Sequence, residues 1–143
     1  MRRGALILAR LVMAALTSVV LAAHAQNTDS VAAARRAAQA WLAEVDAGRY
    51  VESWDLASSA FQAGVTKAQW VAGVSPIRNG IGTVTSRTLR SATFTHTLPG
   101  APDGDYVIIE YDTRFEQKTQ AIETVTPMRD KDGRWKVSGY FIN

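Results

Sequence analysis

Cysteine is absent from this chain, and histidine is nearly so, with His24 and His96 the two in 143 residues. Without cysteine there is no disulfide, no lipid-modified N-terminal cysteine and no thiolate metal ligand. With so little histidine as well, a zinc or related nitrogen–sulfur metal site is not a tenable reading, and nothing in the sequence calls for a cofactor. A hydrophobic run long enough to cross a bilayer is also missing. The apolar stretch over residues 11–23 is interrupted by Thr17 and Ser18 and covers thirteen residues, where a spanning helix needs about 20. Repeats and low-complexity segments do not occur from residue 26 onward.

An excess of charge is lacking once the N-terminus is set apart. Sixteen basic residues stand against thirteen acidic ones. Arg2, Arg3 and Arg10 lie in the first 25 residues, where there is no acid, so the remainder carries thirteen of each sign and no net charge. The basic pI therefore belongs to the N-terminal segment, and with it goes any global case for nucleic-acid binding.

That segment has the three parts of a secretory signal: a basic start at Arg2-Arg3, an apolar run, and Ala23-His24-Ala25 as the small-x-small site of a signal peptidase. The expectation is cleavage between Ala25 and Gln26 after Sec-type export, with a periplasmic or secreted product that keeps no stable membrane anchor. Residues 26–143 then make one domain. A chain of that size buries about 65% of its unfolded surface, and with no disulfide it must rest on that core. All twelve aromatic residues fall in this part.

Periodicity divides residues 26–143 into a helical half and a strand half. A helix capped by Asp29 or Ser30 runs to about residue 47, where Gly48 stops it. Its apolar stripe is Val31, Ala34, Ala38, Trp41, Leu42 and Val45, while Arg35, Arg36, Gln39 and Glu44 take mainly the other sides. A second helix fits residues 50–59. A third opens with Thr66 and Gln69 as a capping box, turns Trp70, Val71 and Val74 inward, and is kinked or ended by Pro76. From residue 83 the period is two. A long strand over residues 84–98 changes parity between Leu89 and Ala92, which predicts a bulge near Arg90-Ser91. In residues 106–115, Val107, Ile109, Tyr111, Thr113 and Phe115 form the buried set and Tyr106, Ile108, Glu110, Asp112 and Arg114 the wetter one. A third strand over about residues 121–128 and a fourth over residues 134–142 flank a hairpin turn at Asp130-Lys131-Asp132-Gly133. Helices first and a meander afterwards make the fold class α+β: N-terminal helices packed on a curved four-stranded antiparallel sheet, a half-open cone.

Several segments carry a resemblance. Tyr50-Val51-Glu52-Ser53-Trp54-Asp55, Val65-Thr66-Lys67-Ala68-Gln69-Trp70 and Leu98-Pro99-Gly100-Ala101-Pro102-Asp103-Gly104-Asp105-Tyr106 occur in order. Glu123-Thr124-Val125-Thr126-Pro127-Met128 and Asp132-Gly133-Arg134-Trp135-Lys136-Val137-Ser138-Gly139-Tyr140 follow. Together they resemble the bacterial exported domain of unknown function family 4019. The resemblance implies an exported protein and a cone fold related to nuclear transport factor two and the ketosteroid isomerases. It implies no reaction.

Chemistry-bearing residues are sparse. His96 shares parity with Ala92, Phe94 and Leu98 and reads as a hydrogen-bonded packing residue, which leaves no conventional base for Ser58-Ser59 or the threonine-rich strand. Asp130-x-Asp132-Gly133 imitates a calcium loop, but its glycine comes too early and its twelfth position is Phe141. Arg35-Arg36 and Arg87 with Arg90 read as solvated or paired charges. The tryptophans Trp41, Trp54, Trp70 and Trp135 fit a core or the wall of a ligand cavity.

Glu123 is the most suggestive residue. It shares strand parity with Val125; if the Val125 face is the concave one, Glu123 is a carboxylate inside an apolar cone, the setting in which such a group serves as general acid or base. The competing reading is a structural bond to an arginine or indole from the helices, under which Glu123→Gln should change stability only modestly. Trp54, Tyr111 and Glu123 are the candidate ligand-binding residues, and Glu123 is the candidate catalytic residue. Three functions stay open: a non-enzymatic exported module that binds a small apolar ligand or an envelope protein; a cone-fold isomerase or hydratase using Glu123 with Tyr111 or Tyr50 as donor; and a structural accessory domain. A deep pocket with a shielded Glu123 favours the second, a filled cone the third.

Overall fold

The computed structural model describes residues 4–143, with side chains described from Val20 onward, so Arg2 and Arg3 of the expected signal lie outside the described residues. Among the described residues no helix is long and apolar enough to cross a membrane. The elements are α1 (Gly4–Asp46), α2 (Tyr50–Leu56), α3 (Ser59–Gly64), α4 (Lys67–Ile81), β1 (Val84–Thr95), β2 (Tyr106–Phe115), β3 (Lys118–Arg129) and β4 (Trp135–Ile142). The compact unit that carries the sheet runs from Val31 to Asn143.

α1 passes through Asp29 and Ser30, where the sequence predicts a helix start. No glycine or proline falls between residues 20 and 30 to break it, and Thr28 turns its hydroxyl back to the His24 carbonyl at 2.9 Å, a bond within the helix. The stripe itself is as expected. Ala34, Ala38, Trp41, Leu42 and Val45 are all buried, against Val107, Ile109, Tyr111, Val125 and Val137 of the sheet. Gly48, at φ +73°, ends the first helical layer and lets the chain turn back.

The expected second helix is two short ones. The chain breaks at Ala57-Ser58, where the Ser58 N–H donates to the Val137 carbonyl of β4 at 2.8 Å. The Ser58 hydroxyl then accepts from the Phe61 N–H and caps α3. Tertiary bonding to the edge strand thus overrides local helix propensity. In α4 the Thr66–Gln69 capping box forms, but Pro76 does not end the helix, which continues to Ile81. Residues beyond the proline are held by Arg78, whose guanidinium is anchored to Asp46 and Tyr140.

The sheet is a four-stranded antiparallel meander, β1-β2-β3-β4. A register shift between Leu89 and Ser91 is the bulge predicted there, with a second at Val84/Ser86. β1 stops at Thr95 rather than Leu98, because the chain turns under Gly104, whose N–H donates to the His96 carbonyl at 2.9 Å. The alternation along β2 holds for Val107 to Phe115, all five inward residues being buried. Tyr106 departs from it: the ring is buried beneath Gly104 and its hydroxyl donates to the Pro102 carbonyl at 2.6 Å. The Asp130–Gly133 turn joins β3 to β4 with Gly133 at φ +80°. Asp130 accepts from both the N–H and the hydroxyl of Ser59, which fastens the hairpin to α3.

Candidate functional site

Side-chain hydroxyl, carboxylate and guanidinium groups that the sequence distributes over six elements converge under the C-terminal end of α1. Glu123, on the inward parity of β3, has no exposed surface. Its Oε1 accepts from Arg87 Nε at 2.7 Å and from Thr113 Oγ1 at 2.6 Å. Its Oε2 accepts from Arg87 Nη2 at 3.2 Å and from the Tyr140 hydroxyl. Arg87 spends its remaining donors on Asp46, at 2.7 Å and 3.0 Å. Arg78 bonds Asp46 at 2.8 Å and the Tyr140 hydroxyl at 3.3 Å, closing a ring Asp46–Arg78–Tyr140–Glu123–Arg87. Two cations meet two anions, so the ring is neutral.

The ionisation of its members follows from this packing. Burial works against the charged form of Asp46, but the bonds from Arg87 and then Arg78 outweigh it and hold the carboxyl below its ordinary range. Burial also works against the Arg87 cation, and the bonds to Asp46 and Glu123 more than reverse it. The Tyr140 phenol is pushed far up, by burial first and then by the neighbouring Glu123 charge. These shifts favour an ionised Asp46, charged Arg78 and Arg87, and a neutral Tyr140 phenol that donates to Glu123.

The expectation of a buried, bonded Glu123 is met, with a difference in the partner. The arginine comes from strand β1, not from a helix. Arg78 and Asp46 were missed as members, although Arg78 extends the inward Trp70–Val74 stripe of α4 by one turn. Tyr111 stands directly across from Glu123 in the β2–β3 register. It is buried, its hydroxyl has no hydrogen-bond partner, and its pKa is raised by burial. Trp54 is not brought to this place. It lies on α2, where its indole donates to the Val65 carbonyl at 2.9 Å and the Lys67 ammonium sits 5.1 Å above its ring. Tyr50 is half-buried against the core.

The other polar candidates have plain roles. Trp41 and Trp70 both donate to Ser53, to its carbonyl at 2.8 Å and its hydroxyl at 2.9 Å, so the tryptophans bind helices together. His96 is hydrogen-bonded, with Nδ1 3.0 Å from Asp105, and its ring meets that of Phe94 edge-on at 4.8 Å, but its side chain is 72% exposed just beyond β1. Among the described residues no three of His, Asp and Glu are grouped as metal ligands would be.

Of the clefts described, one of about 520 Å³ lies over Thr88, Asp112, Arg114 and Ile122 on the outer face of the sheet. A second of about 340 Å³ borders Asp46, Arg78 and Gly82, and a third of about 240 Å³ lies between Ala40, Leu56 and Trp135. None is lined by Trp54, Tyr111 or Glu123. The concave face is occupied by the side chains of α1.

No curated protein matches the chain. Residues 37–140, from the last quarter of α1 through most of β4, match the family described as Protein of unknown function (DUF4019). The chain belongs to that family.

Proposed function

We propose that this is an exported, non-enzymatic module of the cell envelope that works by binding another envelope protein through its outer surface. The observation that carries the reading is the state of Glu123. A carboxylate acts as general acid or base only if it reaches a substrate and has a lone pair or proton to exchange. Glu123 is fully buried, and each of its oxygens already accepts two hydrogen bonds. A small apolar ligand is disfavoured on the same geometry, since α1 fills the concave face where such a ligand would sit. What remains for recognition is the exterior. Export rests on Arg2-Arg3, the apolar run and Ala23-His24-Ala25, the pattern that a signal peptidase cuts.

The test is to recover the protein from the envelope fraction of cells that make it, after cross-linking in place. The expected results are an N-terminus at Gln26, a native mass equal to the polypeptide alone, and a discrete cross-linked envelope protein. An intact N-terminus held in the membrane would refute export. A stoichiometric small molecule that survives purification would replace the protein-partner reading with a ligand-binding one.

A further inference from the structure

The outer face of the sheet, turned away from α1, carries the largest of the clefts described, about 520 Å³. An antiparallel sheet tolerates water on one face, and Ser86, Thr88, Asp112, Arg114 and Gln120 are exposed there. The strands set the lining in cross-strand rows. Ser86 stands opposite Arg114, and Thr88 opposite Asp112, which pairs in turn with Ile122. The cleft is therefore open to solvent, with Ser86, Thr119 and Gln120 supplying neutral hydroxyl and amide groups beside the Arg114 guanidinium.

The charges of this face are unequally answered. Arg90 lies 3.5 Å from Asp112 and 3.9 Å from Glu110, so those three groups meet one another. Arg114 makes no side-chain hydrogen bond or ion pair among the described residues; only its backbone carbonyl is engaged, accepting from the Thr85 hydroxyl at 3.2 Å. A solvated arginine on a flat surface is ordinary. One that lines a cleft, among groups able to donate to the same anion, presents a planar fork matched to a carboxylate. The face also bears Phe141, which pairs with outward Thr124 and is 66% exposed, more than any other large apolar side chain of the sheet. It comes two residues before Asn143, which lines the cleft, and so stands about 7 Å from the rim.

We propose that the envelope partner docks on this face, placing one acidic side chain in the cleft, where its carboxylate accepts from Arg114 and the neighbouring hydroxyl or amide groups, and an apolar side chain against Phe141. Charge complementarity selects the occupant. The unanswered cation calls for an anion, while Asp112 and Glu110 close by admit a single carboxylate and repel an extended polyanion. The exposed phenyl selects a protein segment over a free small acid, arginine and aromatic residues being the usual anchors of protein interfaces. The inference deepens the envelope-partner reading and rests on it for the existence of the partner.

Two measurements on the whole protein test it. The first is an NMR titration of ¹⁵N-labelled protein with an acetylated, amidated leucyl-glutamate dipeptide and with its leucyl-glutamine counterpart. The acidic dipeptide should give saturable shifts of Arg114 Nε and the Ser86 and Gln120 amides and bind about two- to fivefold tighter, a preference that Arg114→Gln should remove. The second is cross-linking in the envelope. Arg114→Glu and Phe141→Ala should each lower the yield of the cross-linked partner at least about fivefold. Arg36→Glu, the same charge change at an exposed position of α1, should leave the yield unchanged. Urea midpoints should not move in Arg114→Glu, whose side chain has no bond within the fold to lose. Equal binding of the two dipeptides, or a preference that survives Arg114→Gln, would overturn the cleft as a carboxylate site. An undiminished yield in Arg114→Glu or Phe141→Ala, or an equal loss in Arg36→Glu, would overturn the docking face and leave the partner reading standing. A dipeptide preference with no cross-linked protein would do the reverse, removing the partner and leaving the carboxylate site.

Discussion

Replacing Glu123 by glutamine is the most informative single change, and the geometry makes it costly. Glutamine keeps the shape but offers one acceptor oxygen and one amide NH₂. If the oxygen takes the Oε1 place, the bonds from Arg87 Nε and Thr113 survive. The NH₂ then faces Arg87 Nη2, a donor against a donor, and Tyr140, whose hydroxyl must turn round although it already accepts from Arg78. The charge balance fails as well, because Arg78 and Arg87 are left to share Asp46 alone. An unpaired buried charge costs about 3–5 kcal/mol. Solvent reaches part of this ring, since the side chain of Asp46 is 29% exposed and that of Arg87 17%. The expected loss is therefore about 2–4 kcal/mol, well above the modest change that near-isosteric replacement alone implies. Urea unfolding followed by tryptophan fluorescence measures it. With a slope of about 1–3 kcal/mol per molar, the midpoint should fall by at least about 0.7 M. Removing both charges, in Arg87→Met with Glu123→Leu, should cost less than the two single changes together by more than about 1 kcal/mol. A loss below about 1 kcal/mol for Glu123→Gln, or additivity in the cycle, would refute the account of a closed ring.

Trp41→Ala should cost about 3–5 kcal/mol by the same assay, because a fully buried indole is deleted and the Ser53 carbonyl loses its donor. Gly82→Ala should lose at least about 1–3 kcal/mol. The backbone there has φ +80°, and a Cβ would sit 2.9 Å from that of Glu116. In Asp130, burial works against ionisation, but the bonds from Ser59, Lys131 and Lys136 prevail and hold the carboxyl at about 2, below its ordinary 3.8. With the folded value depressed, its stabilisation is present above about pH 4 and is lost as pH falls towards 2. Asp130→Asn should thus lower stability at pH 7 and flatten the acid limb between those values, and an unchanged acid limb would count against the Ser59 anchor.

What could be read from the sequence is what repeats along it. The α1 stripe, the β2 alternation, the β1 bulge, the capping box and the Asp130–Gly133 turn each announce themselves within a few residues, by period or by turn chemistry. Most of what failed needed contacts from elsewhere. Asp29 and Ser30 look like a helix start, yet no breaker precedes them and α1 runs through. The helix over residues 50–59 divides because Ser58 gives its N–H to a strand almost eighty residues later in the chain. Pro76 is harmless because Arg78 is tied down on the far side of it. Tyr106 breaks the alternation because a loop folds over it. In the last three cases local propensity was outvoted by tertiary bonding.

The candidate site was half legible for a related reason. Glu123 could be placed inside by parity, but read alone it looks like an isolated acid, and an isolated buried acid invites a catalytic role. It is not isolated. Arg87 shares parity with Leu89, Thr113 lies in the buried set of β2, Tyr140 faces inward on β4, and Arg78 continues the inward stripe of α4. Each was visible as a polar residue on an apolar face. Because a buried charge is tolerated only when paired, such residues on different elements of one small core must largely satisfy one another. Summing them gives two cations for Glu123, and that imbalance calls for one more acid at the rim, which Asp46 supplies at the end of α1. Applied to the whole core, the same accounting leaves three buried side-chain atoms among the described residues without a partner: Nε of Arg35, Nε of Arg78 and the Tyr111 hydroxyl.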